Sequence, residues 1–515
     1  MEYALAVIDI GMTNKKIVIF DETLSQIDMV SKTFPPVMLK HRGMELETHD
    51  LGGMKNWFFQ ELKRFAALYP IKAAAVSAHG ATFVCVDGEG KVCAPCVYYT
   101  YEPGAEFQEE FYALAGNREE LQRTTFTPPF SAMINPAKGI YFLQKYFPAE
   151  FGRTRTLLNL PQYWSFVLTG VAGIEPTYLG CHNYLWDHAA GDYSPVVDKL
   201  RIRELLPRNY KNSYESIGPL SAETAALTGL PPDTIAAMGI HDSNASLLPY
   251  LTGGGGKDFV LNSTGTWCVL MHPQEDLAFN PGDIGNIVFF NQSALAKPVK
   301  TAIFLGGMEF DQWTGIFKGI NNTAQRPPLN FEAIRKFIAE KDTFLLPELV
   351  SGSGQFSRSK PGILEKGIFY TPEEIRNGNI PALLRQGERF YAALTLSLVI
   401  QTMTGAERAG LREGAALYIE GGFRRDRAYN TLLASALTKN KIFLTSMKEA
   451  TASGAAMTAL MACTGKGIEE LNGYISIENE EIRAEDFPGL EAYRASWLKT
   501  ANQDPFETPV LKEVP

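Results

Sequence analysis

The chain has 515 residues, of which 45% are hydrophobic and 20% charged, and its formal net charge is −9. This composition is ordinary for a globular protein, and the length is sufficient for two domains with a core each. The negative balance argues against a nucleic-acid partner, because nucleic-acid binders usually present a basic face.

The N-terminus has no basic segment followed by a cleavage site, and no apolar stretch reaches the roughly 18 residues of a spanning helix. We therefore expect no membrane contact and a cytoplasmic location. Six cysteines are too few for a disulfide framework in a chain this long. Cys93 and Cys96 form a C-x-x-C pair, which suits either a redox or metal site or packed thiols. The absence of a matching second pair favours packed thiols.

The first predicted element is a β-hairpin. Two apolar runs, Ala4 to Ile10 and Lys16 to Phe20, flank a turn at residues 11–14, and Asp21 ends the second strand. Apolar residues then recur at helical spacing from Leu51 to Phe65, ahead of two strands within residues 71–80 and 82–87. This alternation indicates an α/β domain. Residues 104–170 are expected to be mostly helical.

The second half of the chain opens with the same strand–turn–strand pattern as the first. The glycine run 253–256 is the clearest flexible break, and the strand–Gly/Thr turn–strand pattern KDFVLNSTGTWCVLM follows it. Later come a strand ending in Gly421-Gly422, a helix over 426–437, the strand KIFLTS and a helix over 450–463. The tail after about residue 502 is expected to be loosely ordered. The shared opening indicates an internal duplication, unless it is a coincidence of two common hairpins.

The first chemistry-bearing motif spans residues 9–16. Asp9 stands at a strand end, where its carboxylate could bind Mg²⁺, which prefers oxygen ligands. Gly11 permits a tight turn whose N–H groups face an anion, Thr13 and Asn14 add neutral donors, and Lys16 adds a positive charge. An ordinary hairpin with turn-favouring residues explains the same pattern.

Two glycine motifs follow in the second half. Gly265 and Thr266 lie between two predicted strands, where the backbone and small donors could approach a phosphate. Gly421 and Gly422 lie between a strand and a helix, where a ligand could approach the backbone and the helix N-terminus. A polar hairpin turn and a tight strand–helix turn are the respective structural alternatives.

The fourth motif is Gly239-Ile240-His241-Asp242-Ser243-Asn244, between two apolar runs. Asp242 could act as a base at a strand end, or it could be the N-cap of a following helix. The local pattern alone favours the cap, which is the usual role of aspartate in this setting.

The order of these motifs resembles that of the FGGY family of carbohydrate kinases, and the helix 449–455 (Glu-Ala-Thr-Ala-Ser-Gly-Ala) completes the pattern. The resemblance extends from about Tyr3 to Cys463. It implies an α/β fold of two actin/Hsp70-like (ribonuclease H-like) domains with an interdomain cleft. The expected division is 1–248, with the sugar site and catalytic aspartate, and 249–515, with the ATP site.

The resemblance also implies roles for single residues, with ATP and Mg²⁺ as cofactors. Asp242 matches the catalytic aspartate and Asp9 the Mg²⁺-associated one. The remaining matches concern ATP: the first phosphate motif at Gly11, Thr13, Asn14 and Lys16, the second at Gly265 and Thr266, and the adenosine motif at Gly421 and Gly422. These roles suit phosphoryl transfer, which needs positioning, charge neutralisation and a carboxylate that accepts the hydroxyl proton.

The identity of the small-molecule sugar depends on weaker signals. Residues 263–267 look like the Ser-Gly-Thr-Trp form of L-rhamnulose and L-fuculose kinases, whereas residues 79–82 read like the His-Gly-Ala-Thr of xylulose kinases. We expect phosphorylation of a terminal ketose hydroxyl, with L-fuculose or L-rhamnulose ahead of xylulose or another pentulose or polyol. The residues expected to contact the sugar are Ser77, His79, Gly80, Asp242 and Ser243. His79 is equally well explained as a core histidine. A homodimer is a further possibility that the sequence leaves open.

Several departures from the family pattern concern the sugar; they include Met12, which replaces a small residue, and Tyr101-Glu102, which replace a segment with Asp and Arg. Thr82 stands where the deoxy-ketose kinases usually have aspartate, and Gln162 stands at another usual aspartate position.

A non-catalytic ATP-binding switch with the same fold is the alternative function of a different class. A dinucleotide oxidoreductase is disfavoured, because no G-x-G-x-x-G follows the first strand.

Overall fold

The computed structural model describes residues 1–254, 258–325, 330–350, 352–356, 359–445, 447 and 449–502. The predicted loose tail, part of the glycine run (residues 255 and 256) and Ser446 of the predicted strand KIFLTS lie outside these ranges. Within them, the chain forms two seven-stranded mixed sheets, three two-stranded sheets and one three-stranded sheet. None of the described helices is long and apolar enough to cross a membrane.

The first half of the chain contains thirteen strands and ten helices, apart from a 3-10 turn. In chain order they are β1 (Ala4–Ile10), β2 (Asn14–Asp21), β3 (Gln26–Thr33), β4 (Val37–His41), β5 (Met44–Thr48), α1 (Leu51–Ala66), β6 (Ile71–Ala78), β7 (Phe83–Val86), α2 (Ala105–Ala115), α3 (Arg118–Thr125), α4 (Pro136–Tyr146), α5 (Pro148–Phe151), β8 (Thr156–Asn159), α6 (Leu160–Thr169), α7 (Pro176–Leu179), β9 (Trp186–Asp187), β10 (Asp192–Tyr193), α8 (Pro195–Lys199), β11 (Ser216–Pro219), α9 (Ala222–Thr228), β12 (Ile235–Ala237), β13 (Ile240–His241) and α10 (Asp242–Pro249).

The described part of the second half continues this numbering. Its elements are β14 (Phe259–Thr264), β15 (Cys268–Pro273), β16 (Val288–Gln292), β17 (Pro298–Phe304), α11 (Gly306–Asn321), α12 (Phe331–Glu340), β18 (Thr343–Leu346), β19 (Gly362–Glu365), β20 (Ile368–Tyr370), α13 (Pro372–Arg376), α14 (Gly387–Ala409), β21 (Ala416–Gly421), α15 (Arg427–Ala436), β22 (Lys441–Thr445), α16 (Ala450–Thr464), β23 (Asn479–Glu481) and α17 (Leu490–Ala501).

The two large sheets have matching topologies. In the first, β1 pairs antiparallel with β2 and parallel with β6. In the second, β14 pairs antiparallel with β15 and parallel with β21. One further strand, β3 in the first half and β17 in the second, pairs antiparallel with the outer strand of the hairpin. The two predicted hairpins therefore occupy equivalent positions in two copies of one sheet architecture.

Most local predictions agree with the structure. Helix α1 buries an apolar stripe that includes Met54, Phe58 and Leu62, and the Asp50 side chain accepts a hydrogen bond from the Gly53 N–H at its start. The segment 104–170 is mostly helical, but it also contains the strand β8, which pairs with β7. Its buried Leu157 and Leu158 form a short apolar run, which periodicity alone does not distinguish from a helix.

Helix α16 joins the two halves of the molecule. Although it lies near the C-terminal end of the chain, its alanine-rich surface packs with Leu5 and Val7 of β1 and Ala75 of β6 in one hydrophobic cluster. It also packs against α10 through Gly454, whose missing side chain lets the Ala245 carbonyl of α10 approach closely. This contact holds the start of α10 next to the first hairpin.

Candidate active site

A cavity of about 690 Å³ lies between the two halves of the chain. The first half contributes the turn after β1, the end of β6 and the start of α10. The second half contributes the turn between β14 and β15 together with β16 and β17. Among the residues expected to form the site, those that line this cavity are Thr13, His79, Gly80, Asp242, Ser243, Gly265 and Thr266.

Asp242 is the first residue of α10 and directly follows β13. The helix N-cap is His241, so the interpretation of Asp242 as the cap is wrong. Its Oδ1 accepts a hydrogen bond from the Ser243 N–H at 2.6 Å. Burial raises the pKa of Asp242, while His79 and the two hydrogen bonds from Ser243 oppose that rise. The carboxylate is thus held by the backbone at the first turn of a helix.

Asp9 lies near the end of β1, paired across the hairpin with Lys16. The Lys16 ammonium donates to the Glu449 carboxylate, which lies 433 residues away at the start of α16. Burial raises the pKa of Asp9 to about 7, Lys16 opposes this, and Asp242 and Glu449 add to it. The carboxylates of Asp242 and Glu449 both interact with Asp9, so oxygen ligands of the kind that Mg²⁺ prefers are available around it.

The first hairpin turn is closed by the Gly11 N–H, which donates to the Asn14 carbonyl at 3.1 Å. Thr13 faces the cavity, whereas Asn14 is exposed and accepts a hydrogen bond from Thr33 at 2.8 Å. Lys15, which the motif analysis did not select, is fully buried and donates to the Met12 carbonyl at 2.7 Å. Lys15 therefore stabilises the turn from its buried side.

The second hairpin turn is closed by the Gly265 N–H, which donates to the Trp267 carbonyl at 2.8 Å. The N-terminal turn of α11 abuts it, and the Met308 N–H donates to the Thr266 carbonyl at 3.2 Å. The Gly421-Gly422 turn does not line the cavity, but it packs on Thr264: the Phe423 N–H donates to the Thr264 hydroxyl at 3.0 Å. Gly421 has φ +82°, which glycine adopts readily.

The expected sugar contacts divide into two groups. His79 lines the cavity, with its Nδ1 3.0 Å from the Gly80 carbonyl oxygen and its Nε2 without a partner in the described structure. Burial lowers the pKa of His79 to about 4, so the ring is neutral near pH 7. Ser77, by contrast, is fully buried inside β6 opposite Asp9 and lies off the cavity wall.

Several cavity residues were not selected from the sequence. His241 directly precedes Asp242, and this adjacency was an available signal. Cys181 and His182 lie in the connection after α7, where nothing in the local sequence points to a site. Burial lowers the pKa of His241 to about 4 and that of His182 to about 3. Trp267 of the second half and Tyr99 of the first half both line the cavity and pack against one hydrophobic cluster.

The remaining sequence features have structural explanations. Cys93 and Cys96 are buried, and their thiols donate to the carbonyls of Cys85 and Phe83, as packed thiols do. Gln162, at one of the unusual positions, is fully buried and donates to the Met238 and Gly239 carbonyls at 3.3 and 3.4 Å. It therefore supports the backbone just ahead of Asp242.

Comparisons with solved structures show the fold. The chain aligns over 97% of its length with a carbohydrate kinase from Novosphingobium aromaticivorans, covering 98% of that chain at 23% identity and a TM-score of 0.74. A xylulose kinase from Lactobacillus acidophilus aligns with 97% of this chain and 96% of its own at 15% identity and a TM-score of 0.75. Plasmodium falciparum glycerol kinase with ADP gives 96% and 97% coverage, 15% identity and a TM-score of 0.75.

Comparisons of sequence show the family. A curated relative, the L-xylulose/3-keto-L-gulonate kinase of Escherichia coli K12, is 31% identical over 140 residues, which are 26% of this chain and 27% of that kinase. Residues 3–249 match the N-terminal domain of the FGGY family of carbohydrate kinases, and residues 256–467 match the C-terminal domain of carbohydrate kinase FGGY. With its two actin/Hsp70-like sheets and both family domains, the chain belongs to the FGGY family of carbohydrate kinases.

Proposed function

We propose that this protein transfers a phosphoryl group from ATP to a terminal hydroxyl of a neutral ketose, with Asp242 as the general base. One observation carries the proposal: the Asp242 carboxylate and the turns of both hairpins line one cavity. A phosphoryl-transfer enzyme needs a base within reach of the acceptor hydroxyl and backbone donors around the phosphates. Residues 1–248 would hold the sugar, and residues 249–515 most of the ATP.

In this mechanism the sugar hydroxyl donates a hydrogen bond to Asp242 and loses its proton to the carboxylate as the oxygen attacks the γ-phosphorus of ATP, whose bond to ADP breaks. The N–H groups and hydroxyls at Gly11, Thr13, Gly265 and Thr266 would bind the phosphates, and the turn at 421–422 would lie against the adenosine. Asp9 would hold Mg²⁺, which neutralises phosphate charge when it is bound. Lys16, which is itself held by the Glu449 carboxylate, would keep Asp9 in place through its opposite charge.

The cavity lining supports a neutral sugar with an apolar end. Asp242 is the only charged side chain among the described residues that line it, and no lysine or arginine is present to pair with a sugar carboxylate. Ile134, Phe289 and Ile303 form one hydrophobic cluster on its wall, with contributions from both halves. Such a wall favours the terminal methyl group of L-fuculose or L-rhamnulose. Burial of one methyl contributes about 0.8 kcal/mol, or roughly a fourfold preference.

A second candidate substrate is L-xylulose. The partial similarity to the L-xylulose/3-keto-L-gulonate kinase supports it, as does the His-Gly-Ala-Thr segment at residues 79–82. A sugar that carries a carboxylate is disfavoured by the absence of a lysine or arginine among the described cavity residues. Burial of an unpaired carboxylate beside Asp242 costs free energy.

The proposal is tested by measuring sugar-dependent ADP release over a panel of L-fuculose, L-rhamnulose, L-xylulose, D-xylulose, 3-keto-L-gulonate and glycerol. We expect the highest kcat/KM for a 6-deoxy ketose, a lower value for the pentuloses and none above background for the carboxylate. Nucleotide binding without turnover of any ketose or polyol would instead support the ATP-binding switch.

Gly80→Ala should weaken sugar binding. A Cβ at this position would lie 2.6 Å from His241 Nε2 and 2.9 Å from His182 Nε2, so both rings would have to move. Overpacking of this kind costs about 1–3 kcal/mol, which corresponds to roughly a fivefold to 150-fold rise in KM. Gly88→Ala is the matched control, since its nearest contact would be at 3.8 Å. Equal KM values for the two variants would contradict the placement of the sugar beside Gly80.

A further inference from the structure

The sugar cavity contains a cluster of soft metal ligands that the proposed transfer reaction does not use. The thiol sulfur of Cys181 and one ring nitrogen each of His182 and His241 all lie within 4.8 Å of one another. Cys181 and His241 are 3% and 4% exposed, His182 is half-buried, and all three line the cavity. Two separate connections, one after α7 and one at the end of β13, bring them together.

The surroundings of the two imidazoles leave their nitrogens available. Neither Nδ1 atom has a hydrogen-bond partner in the described structure. Both Nε2 atoms face Gly80, whose missing side chain leaves open the space between them. Buried polar atoms are normally satisfied, so an unpartnered Nδ1 on each ring, together with two Nε2 atoms that converge on one open space, suits a partner that the protein itself does not supply. Asn291 also lines the cavity beside Cys181 and would orient its sulfur.

We propose that Cys181, His182 and His241 bind a Zn²⁺ ion inside the sugar cavity. One thiolate and two imidazoles are a zinc donor set, and three protein ligands with an open fourth position are typical of non-structural zinc sites. Mg²⁺ prefers oxygen ligands, so this site is chemically distinct from Asp9. In a tetrahedral zinc site the ligand atoms are roughly 3.5 Å apart, so the three side chains need to move together by about 1 Å.

The fourth position is adjacent to Asp242. The Asp242 Oδ1 lies 3.6 Å from His241 Nε2. A bound ion would therefore take the Asp242 carboxylate, or a water beside it, as the fourth ligand. Binding releases the Cys181 thiol proton to solvent, because zinc-bound cysteine is a thiolate. The ion would then occupy the space of the sugar hydroxyl and block Asp242 as a base. This consequence depends on the proposed kinase function, whereas the metal site itself does not.

The site is tested first without any activity measurement, by adding Co²⁺ to the full-length protein and recording its absorption spectrum. We expect one tetrahedral Co²⁺ per chain, with a thiolate-to-cobalt charge-transfer band that added Zn²⁺ removes. Cys181→Ser should abolish that band and weaken Zn²⁺ binding by at least about tenfold. Cys463→Ser is the control, because this cysteine lies in α16 away from the cavity lining. A band that persists in Cys181→Ser, or no band in the wild type, would overturn the proposal.

His182→Gln provides a second variant that keeps the thiol. It should retain its melting temperature and bind Zn²⁺ at least about tenfold more weakly than the wild type. If a ketose substrate is found, Zn²⁺ should inhibit competitively with it, and a chelator should restore turnover. Zinc binding without any kinase activity would refute only the proposed function. Normal turnover that is insensitive to a bound Zn²⁺ ion would refute the blocking of Asp242.

Discussion

Replacement of Asp242 by asparagine is expected to lower kcat by about 10²–10⁴-fold, the usual contribution of a general base. Asparagine has nearly the same shape, and its amide oxygen can still accept the hydrogen bond from the Ser243 N–H. It cannot, however, take the proton of the sugar hydroxyl. Because the two hairpin turns are unchanged, ATP affinity should stay close to that of the wild type.

The measurement combines ADP release in the presence of the best ketose with nucleotide binding and a thermal melt. Asp233→Asn is the control, because it makes the same chemical change at an exposed aspartate in the same half of the chain. Retained turnover in Asp242→Asn would show that the carboxylate only supports the start of α10. Loss of both turnover and ATP binding would show that it is needed for the nucleotide site.

Gly454→Ala is expected to have the largest effect on stability. A Cβ on Gly454 would overlap the Ala245 carbonyl and lie 2.6 Å from its carbon, so α16 and α10 would have to separate. The atoms in the way are backbone, which does not rotate aside. We expect a loss of about 3 kcal/mol, the upper end of the usual cost of overpacking. The start of α10 should move with the helix, so kcat should fall as well.

Gly315→Ala is the matched comparison. Gly315 lies within the helix α11, and a Cβ there would meet no atom within 4 Å. Alanine is favoured over glycine in a helix by about 1 kcal/mol, so this variant should be slightly more stable than the wild type. Chemical unfolding followed by circular dichroism would compare the two. Equal unfolding midpoints for Gly454→Ala and Gly315→Ala would show that the contact between α10 and α16 can accommodate a methyl group.

The duplicated α/β architecture could be predicted because its signals are local and repeated, whereas the actin/Hsp70-like fold was implied only by the resemblance to a family. Each hairpin is marked by apolar runs around a Gly/Thr turn, and both occur at the same place in their sheets. The order of the short motifs then indicated the family, although no single motif was specific. Asp242 shows the limit of local reasoning: its neighbours favoured an N-cap, yet His241 takes that position.

The two hairpins, the glycine turns and the aspartates at the strand and helix ends are predictable from local sequence, because turn chemistry and apolar periodicity act over a few residues. Which of these features meet in space is known only from the folded structure. It pairs Lys16 with Glu449, which lies 433 residues away, buries Ser77 inside the first sheet and brings Cys181 and His182 to His241. These contacts arise from the packing of distant segments, and packing partners leave no periodic or turn signal in the residues that make them.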